Sequence, residues 1–187
     1  MNDNMNNEMI RMQAVRFKRA RGNLLLVVIL TAANLLLIQF DVGWGFFFTA
    51  FVPEMIMIIL QESFAVMGLF VALLFTSVYL LCYVVSKHKR GAIVFAMVLF
   101  VIDALVMFAL LVASGAIAAS LFNIAFHAWI LFYLITGSVA WAKLKDVDPD
   151  EVRAVQQEVE QRAQEKELDS ALRDIMPDED EEEDDDE

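Results

Sequence analysis

Four long runs of apolar residues, each almost free of charge, are separated by short polar segments. The hydrocarbon core of a bilayer is about 30 Å thick, and a helix needs roughly 20 apolar residues to cross it. Each run approaches this length, and in lipid it must be helical, because only a helix satisfies its own backbone donors and acceptors within one segment. We therefore predict four transmembrane helices, at about 23–40, 64–86, 92–114 and 119–141.

The connection between the first two runs, residues 41–63, is the longest and most aromatic of the connections. Trp44 and the phenylalanines that follow it are typical of a membrane interface. Pro53 then opens a further apolar stretch, and proline suits the first turn of a helix. One continuous helix from Pro53 to Ser86 would be about 50 Å long, which exceeds a single bilayer crossing.

An additional helical segment on the outer side accounts for this excess length. We predict an outer interfacial segment at 44–62 with a short helix at about 53–61, which lies on the outer surface or dips partway into the membrane. A bend near residues 61–63 leads into the second crossing. Glu54 and Glu62 are expected to face water as solvated charges, and an outer cation or partner site is the alternative.

Composition and charge divide the chain into two unlike parts. Hydrophobic residues make up 59% of the 187 residues, which exceeds the content of a typical soluble domain. Residues 1–145 contain ten Lys/Arg and six Asp/Glu, whereas residues 146–187 contain four Lys/Arg and twenty Asp/Glu. The net charge of −12 therefore arises in the C-terminal segment and does not describe the apolar part.

The basic residues indicate the orientation in the membrane. All fourteen lie ahead of the first run, between the second and third runs, or after the fourth. Since cytoplasmic loops are enriched in Lys and Arg, this pattern predicts a multi-pass protein of the inner (cytoplasmic) cell membrane with both termini in the cytoplasm. We divide the chain into a basic cytosolic N-terminus (1–22), a transmembrane domain (23–145), a cytosolic helix (146–176) and a disordered acidic tail (177–187).

The C-terminal segment begins with the pattern of a helix start. Asp148 is placed as the N-cap, Pro149 as the first helical residue and Glu151 as the partner in a capping box. The final ten residues are all acidic, so self-repulsion and the lack of apolar side chains predict disorder. Such a tail either only solubilises the protein, recruits a basic cytosolic protein partner, or binds divalent cations loosely.

Each predicted crossing also contains polar residues near its centre. A charged side chain at mid-bilayer costs about 2.5–3.5 kcal/mol on insertion scales, so Asp103 should be buried, paired or neutral. If the polar faces turn inward, they form one layer in which Asp103 bonds to His127 or Asn34. The residues of this candidate intramembrane polar layer are Asn34, Thr76, Ser77, Asp103, Asn123 and His127.

The polar layer has two main interpretations. As an interhelical hydrogen-bond clamp it would hold the helices together, with each contact worth roughly 0.6–1.7 kcal/mol. As a functional site it would relay protons or coordinate a substrate, because a histidine–carboxylate pair can titrate near neutral pH. A lipid-facing or partner-facing Asp103 is the third alternative.

The sequence offers no catalytic or nucleotide-binding motif. It contains no GxxxxGK[ST], GxSxG, HExxH or CxxC pattern, and the polar segments are too short for a soluble catalytic domain. The single cysteine, Cys82, excludes an intramolecular disulfide. We therefore predict a non-enzymatic protein without cofactor, bound metal or nucleic-acid partner, which contacts the lipid bilayer and has surfaces compatible with oligomerisation.

Three stretches carry a family resemblance: 19–37 (RARGNLLLVVILTAANLLL), 46–53 (FFFTAFVP) and 126–137 (FHAWILFYLITG). They resemble an uncharacterised family of small four-helix bacterial inner-membrane proteins with no assigned activity. The resemblance covers about residues 16–143, and Glu54 stands where that family often has an aromatic residue after the proline. It implies a four-helix topology and a bacterial inner membrane, and it implies no function.

Taken together, these patterns predict an all-α integral membrane four-helix bundle with an outer interfacial helix, a cytosolic C-terminal helix and a disordered acidic tail. The leading functional hypothesis is an accessory or scaffold protein that recruits partners through its tail. The alternative is a small transporter or channel-type subunit that acts through the layer around Asp103 and His127.

Overall fold

The computed structural model describes residues 2–42, 49–89, 91–115 and 117–175, and within these ranges it is helical without any β-strand. Its elements are α1 (Asn2–Gln39), α2 (Phe51–Val85), α3 (Ala92–Ser114), a 3₁₀ turn (Ala118–Ser120), α4 (Leu121–Leu144) and α5 (Pro149–Ile175). Stretches long and apolar enough to cross a membrane are Glu8–Gln39, Phe64–Val85, Ala92–Ser114 and Leu121–Leu144. The predicted all-α class and the four long apolar helices are therefore confirmed.

α1 extends much further toward the N-terminus than its apolar run. It is a continuous helix of 38 residues, so the segment 1–22, predicted as a separate basic region, is helical from Asn2 onward. Ile10, Ala14 and Phe17 are buried at intervals of three or four residues, which is the spacing of one helix face. This buried face explains why the helix continues beyond the membrane-length run.

α2 consists of two helices joined at a sharp break. Phe64 leaves the helical region (φ −148°, ψ 52°), next to the bend predicted at 61–63. The first part, Phe51–Gln61, is shorter than a membrane span, and we call it the half-helix. A Cβ added to Gly68 would lie 2.9 Å from the Cβ of Leu60, so the two parts of α2 fold back against each other at this glycine.

The half-helix lies along α1 and points in the same direction. The backbone N–H of Ala50 donates to Thr31 Oγ1 at 2.9 Å, and Gln61 Nε2 donates to the Ile38 carbonyl oxygen at 3.1 Å. Because the contacts follow the same order in both segments, the half-helix begins at the level of Thr31 and ends near the C-terminus of α1. Of the two positions predicted for this segment, on the outer surface or dipping partway into the membrane, the contact of Ala50 with Thr31 agrees with the second. The first residues of the segment 44–62 lie outside the described ranges.

The four long helices contact one another in a ring. α1 packs against α2 and α4, and α3 packs between α2 and α4 on the other side. α1 and α4 approach closely where a Cβ on Gly137 would overlap the Cβ of Ala20, since small residues allow backbones to come together. The largest side chains of the central buried cluster are Phe17, Leu24, Tyr79, Ile93, Phe100, Phe126, Ile130 and Leu134.

Arg21 joins α1 to the C-terminal end of α2. Its Nε atom donates to Ser86 Oγ at 2.8 Å, and its guanidinium carbon lies 5.0 Å from the centroid of the Tyr83 ring. The Ser86 hydroxyl in turn donates to the Tyr83 carbonyl oxygen at 2.6 Å. A hydrogen bond and a cation–π contact therefore share one planar side chain, which fixes α1 against α2 at this end.

α5 begins where the capping pattern placed it and docks on the N-terminal part of α1. Asp148 Oδ1 accepts the backbone N–H two residues further on at 2.8 Å, as an N-cap does. Lys18 Nζ lies 2.9 Å from Glu160 Oε1 between α1 and α5. A small buried cluster at the same junction consists of Ile10, Ala14, Leu144 and Val152. The acidic tail at 177–187 lies outside the described ranges.

Candidate functional site: a buried carboxylate at the start of the half-helix

Asp103 occupies the middle of α3, as the twelfth of its 23 residues, and its side chain is buried. Its Oδ1 atom accepts the backbone N–H of Val52 at 2.8 Å, and its Oδ2 atom accepts the backbone N–H of Phe51 at 2.9 Å. Both donors belong to the first turn of the half-helix. One carboxylate therefore binds two consecutive backbone amides of another helix.

The half-helix needs this acceptor because its own sequence provides none. The first N–H groups of a helix have no intrahelical partner, and the N-cap position is occupied by Ala50, which has no side-chain acceptor. Asp103 supplies the missing acceptor from α3, and Thr31 supplies one to Ala50 from α1. The helix dipole also favours a negative charge at this end. These partners explain why the half-helix starts in the interior of the protein instead of at its surface.

His127 approaches the same carboxylate from α4. Its Nε2 atom lies 3.2 Å from Asp103 Oδ2, and its Nδ1 atom lies 2.9 Å from the carbonyl oxygen of Asn123. The imidazole stacks on the Phe100 ring, with centroids 5.1 Å apart and an interplanar angle of 19°. Only 2% of each side chain of the pair is exposed. The structure therefore brings together the two predicted residues and joins α3, α4 and the half-helix at one point.

Glu54 lies in the first turn of the half-helix and is half-buried. Its Oε2 atom accepts the Thr49 hydroxyl at 2.6 Å, and the carboxyl group also hydrogen-bonds to the Asn34 side chain. The expectation that Glu54 faces water as a solvated charge is wrong, because these donors hold it inward. The side chain of Glu62, expected to do the same, lies outside the description.

Two residues of the predicted polar layer bond within their own helix. Thr76 Oγ1 donates to the Ala72 carbonyl oxygen at 2.9 Å, and the exposed Ser77 donates to the Leu74 carbonyl oxygen at 2.6 Å. A helical hydroxyl commonly finds an acceptor in the preceding turn, so neither residue needs a partner on another helix. Their membership of the layer around Asp103 stays a prediction, and the hydrogen bonds that the structure shows for them lie within α2.

The two asparagines of the predicted layer have different roles. Asn34 is buried, and its side chain hydrogen-bonds to the carboxyl group of Glu54 in the half-helix. Asn123 contributes its backbone carbonyl to the imidazole, while its own buried Oδ1 atom has no hydrogen-bond partner in the described part of the chain. Thr31 and Thr49 complete the polar group although the predicted layer omitted them. Thr31 lies one helical turn before Asn34 on α1, and that spacing was a signal that they share a face.

The chemistry available at this site is hydrogen bonding and proton exchange. A carboxylate, an imidazole and a second, half-buried carboxyl group meet here with hydroxyl and amide side chains. Throughout the residues that the structure describes, no group of three or more His, Cys, Asp or Glu side chains is arranged to hold a metal ion.

Comparison with known proteins finds no match, so a function has to be inferred from the geometry of the chain. The chain matches no protein-family model, and searches of curated proteins and of solved structures also return no match. The features from which a function is inferred are therefore the four apolar helices, the half-helix and the pair of Asp103 and His127.

Proposed function

We propose that the chain is a multi-pass membrane protein that crosses the inner membrane of a bacterial cell four times, with both termini in the cytoplasm. The exposed faces of its long helices support this proposal, since Val66, Phe70 and Phe122 are 70–78% exposed. Such faces are costly in water and well suited to lipid. The distribution of Lys and Arg supports the orientation, and the resemblance to small bacterial inner-membrane proteins supports the location.

In this arrangement the half-helix is a re-entrant segment that begins near the middle of the bilayer. Backbone outside a helix is tolerated at that depth only where protein groups satisfy its donors and acceptors. The hydrogen bonds from Ala50 to Thr31 and from Phe51 and Val52 to Asp103 provide this satisfaction. The side chains of Thr31 and Asp103 thereby hold an interrupted helix inside the four-helix bundle.

The function that the geometry supports best is that of a non-enzymatic accessory or scaffold protein. The observation that carries it is that both oxygens of Asp103 are occupied by backbone donors of the same chain. A carboxylate used in this way is an interhelical clamp and offers little to a substrate. In this function the docked α5 and the acidic tail present negative charge to a basic cytosolic partner.

A small transporter or channel-type subunit is the second candidate function. Transporters often place substrate and coupling-ion sites where discontinuous helices end near the membrane midplane. The half-helix has this form, and two titratable groups beyond Asp103 lie at its start, Glu54 and His127. In this function Asp103, Glu54 and His127 would change their hydrogen-bond partners during the transport cycle.

Two changes to the chain separate these functions. Deletion of residues 146–187 removes the partner-binding segment, and Asp103→Asn removes the carboxylate charge; each is scored on complementation of a gene deletion. Loss of complementation on truncation, with a silent Asp103→Asn, supports the scaffold. The reverse pattern in a chain that remains folded supports transport. Ser77→Ala is a matched control, because Ser77 is exposed and bonds within its own helix.

The membrane topology is tested independently of these functions. A reporter that is active only outside the cytoplasm should be active when fused after Gly115 and inactive when fused after Lys145. Activity of a cytosol-specific reporter after Gly115 would contradict the orientation. A purified chain that stays monodisperse without detergent would contradict insertion in a membrane altogether.

A further inference from the structure

The hydrogen-bond partners of His127 determine the position of one ring hydrogen. A carbonyl oxygen only accepts hydrogen bonds, so the Nδ1 atom, 2.9 Å from the Asn123 carbonyl oxygen, carries a hydrogen. The other ring nitrogen, Nε2, faces Asp103 Oδ2 at 3.2 Å. A neutral imidazole with its hydrogen on Nδ1 has only a lone pair to present at Nε2.

A further proton is therefore required between Nε2 and Oδ2. Without it, the Nε2 lone pair would face the lone pairs of a carboxylate whose other partners are the N–H donors of Phe51 and Val52. The proton is held either on Nε2, which gives an imidazolium beside a carboxylate, or on Oδ2, which gives a neutral imidazole beside a carboxylic acid. Both forms have the same number of protons and zero total charge, so they are one binding state of the pair.

We propose that the contact between Asp103 and His127 is a binding site for a single exchangeable proton, and that this proton holds α4 against α3 and the half-helix. When the proton leaves, the pair carries one negative charge and the contact between Nε2 and Oδ2 becomes repulsive. The carboxylate keeps its two backbone donors, so the separation occurs between Asp103 and His127. This inference goes beyond the proposed function and applies to a scaffold and to a transporter alike.

Each helix packed around the pair of Asp103 and His127 contributes side chains near the bound proton. Glu54 of the half-helix and Tyr79 of the second part of α2 interact electrostatically with the carboxylate, whereas α1 contributes the uncharged Thr31 and Asn34 to this region. An ionised Glu54 strengthens retention of the proton, because a nearby negative charge favours a cationic imidazole. The Phe100 ring stacked on the imidazole acts in the same direction. These groups are therefore the ones whose charge and packing act on the proton between Nε2 and Oδ2.

The proton can be followed by NMR of the ring nitrogens in protein labelled with ¹⁵N-histidine, in detergent micelles over a pH series. The chain has two histidines, and the exposed His88 serves as an internal reference. We expect His127 to keep the hydrogen on Nδ1 throughout and its Nε2 resonance to change when the proton shared with Oδ2 leaves. A His127 with its hydrogen on Nε2 alone, or one whose Nε2 resonance shows neither an attached proton nor a hydrogen bond from a proton on Oδ2 at any pH, overturns the proposal.

The contact between α3 and α4 is measured in a second experiment. Spin labels are attached to cysteines introduced at the exposed positions Leu105 and Phe122, in a Cys82→Ser background, and their separation is measured by electron paramagnetic resonance. We expect a narrow distance distribution at low pH that widens as His127 loses its proton. A distribution that stays unchanged while His127 titrates overturns the proposed coupling.

Asp103→Asn is the matched variant for both experiments. Its amide oxygen still accepts the Val52 N–H, and its NH₂ group donates to a neutral Nε2 in place of Oδ2, so the contact with His127 persists without an exchangeable proton while the Phe51 N–H loses its acceptor. We expect His127 in this variant to remain neutral, and the α3–α4 distance to be independent of pH. A pH response equal to that of the unchanged chain overturns the proposal. Should the variant fail to fold, the NMR experiment on the unchanged chain decides alone.

Discussion

The Oδ1 atom of Asp103 lies 2.8 Å from the backbone nitrogen of Val52, although 51 positions separate the two residues in the chain. Asp103 therefore acts as an N-cap for a helix to which it does not belong. An N-cap side chain usually comes from the residue that precedes the helix, and here that residue is an alanine. The start of the half-helix consequently depends on the packing of α3 against α2.

Removing the carboxylate should be costly for stability. We expect Asp103→Ala to lower the free energy of unfolding by about 2 kcal/mol, because each of the two part-buried N–H groups that loses its acceptor costs on the order of 1 kcal/mol or more. Chemical unfolding in mixed micelles measures this change. Ser77→Ala is the control and should change stability by less than about 0.5 kcal/mol. Equal effects of the two substitutions would contradict the clamp.

The close approach of α1 and α4 should not tolerate a side chain at Gly137. We expect Gly137→Leu to lower the free energy of unfolding by about 1–3 kcal/mol, because the added atoms overlap Ala20. Gly22→Ala is the matched control, since a Cβ at Gly22 meets no atom within 4 Å and should stabilise α1 by about 0.5–1 kcal/mol. Thermal unfolding in detergent measures both; a Gly137→Leu variant as stable as the unchanged chain would show that the helices do not pack at this point.

Arg21 and Ser86 should be energetically coupled. We expect Arg21→Lys to lower stability by about 1 kcal/mol, because lysine cannot reproduce both the Nε hydrogen bond and the stacking on Tyr83. Ser86→Ala should have a similar effect, and a double-mutant cycle should give a coupling energy of about 0.5–1 kcal/mol. Strict additivity of the two substitutions would show that the hydrogen bond does not contribute.

The docking of α5 on α1 should depend on apolar burial more than on its ion pair. Val152 is 1% exposed, so Val152→Asp should detach α5 and accelerate its cleavage in limited proteolysis several-fold. Lys18→Glu removes an ion pair whose side chains are 48% and 54% exposed, and it should weaken docking by less than about 1 kcal/mol. Faster cleavage of α5 in the Lys18 variant than in the Val152 variant would show that the ion pair contributes more to docking than the apolar burial does.

The features that the sequence predicted correctly are those whose cause is local. A helix of membrane length is specified by the apolar character of consecutive residues, so all four could be placed without knowledge of their neighbours. The start of α5 is likewise local, because Asp148 bonds to the backbone only two residues away. The excess length after Pro53 also required a short helix and a bend, and the structure breaks α2 at Phe64.

The position of the half-helix and the membership of the polar site were decided only by tertiary structure. In the sequence, the hydroxyls of Thr31, Thr76 and Ser77 are equivalent polar groups within apolar runs. The structure uses Thr31 to bind another segment and leaves the other two bonded within their own helix. Hydropathy is enough to specify an apolar helix, because the burial of apolar side chains needs no specific partner. Which buried polar atoms meet depends on the rotation and contact of whole helices, and that is why Asp103 and the first turn of the half-helix could be paired only in the folded chain.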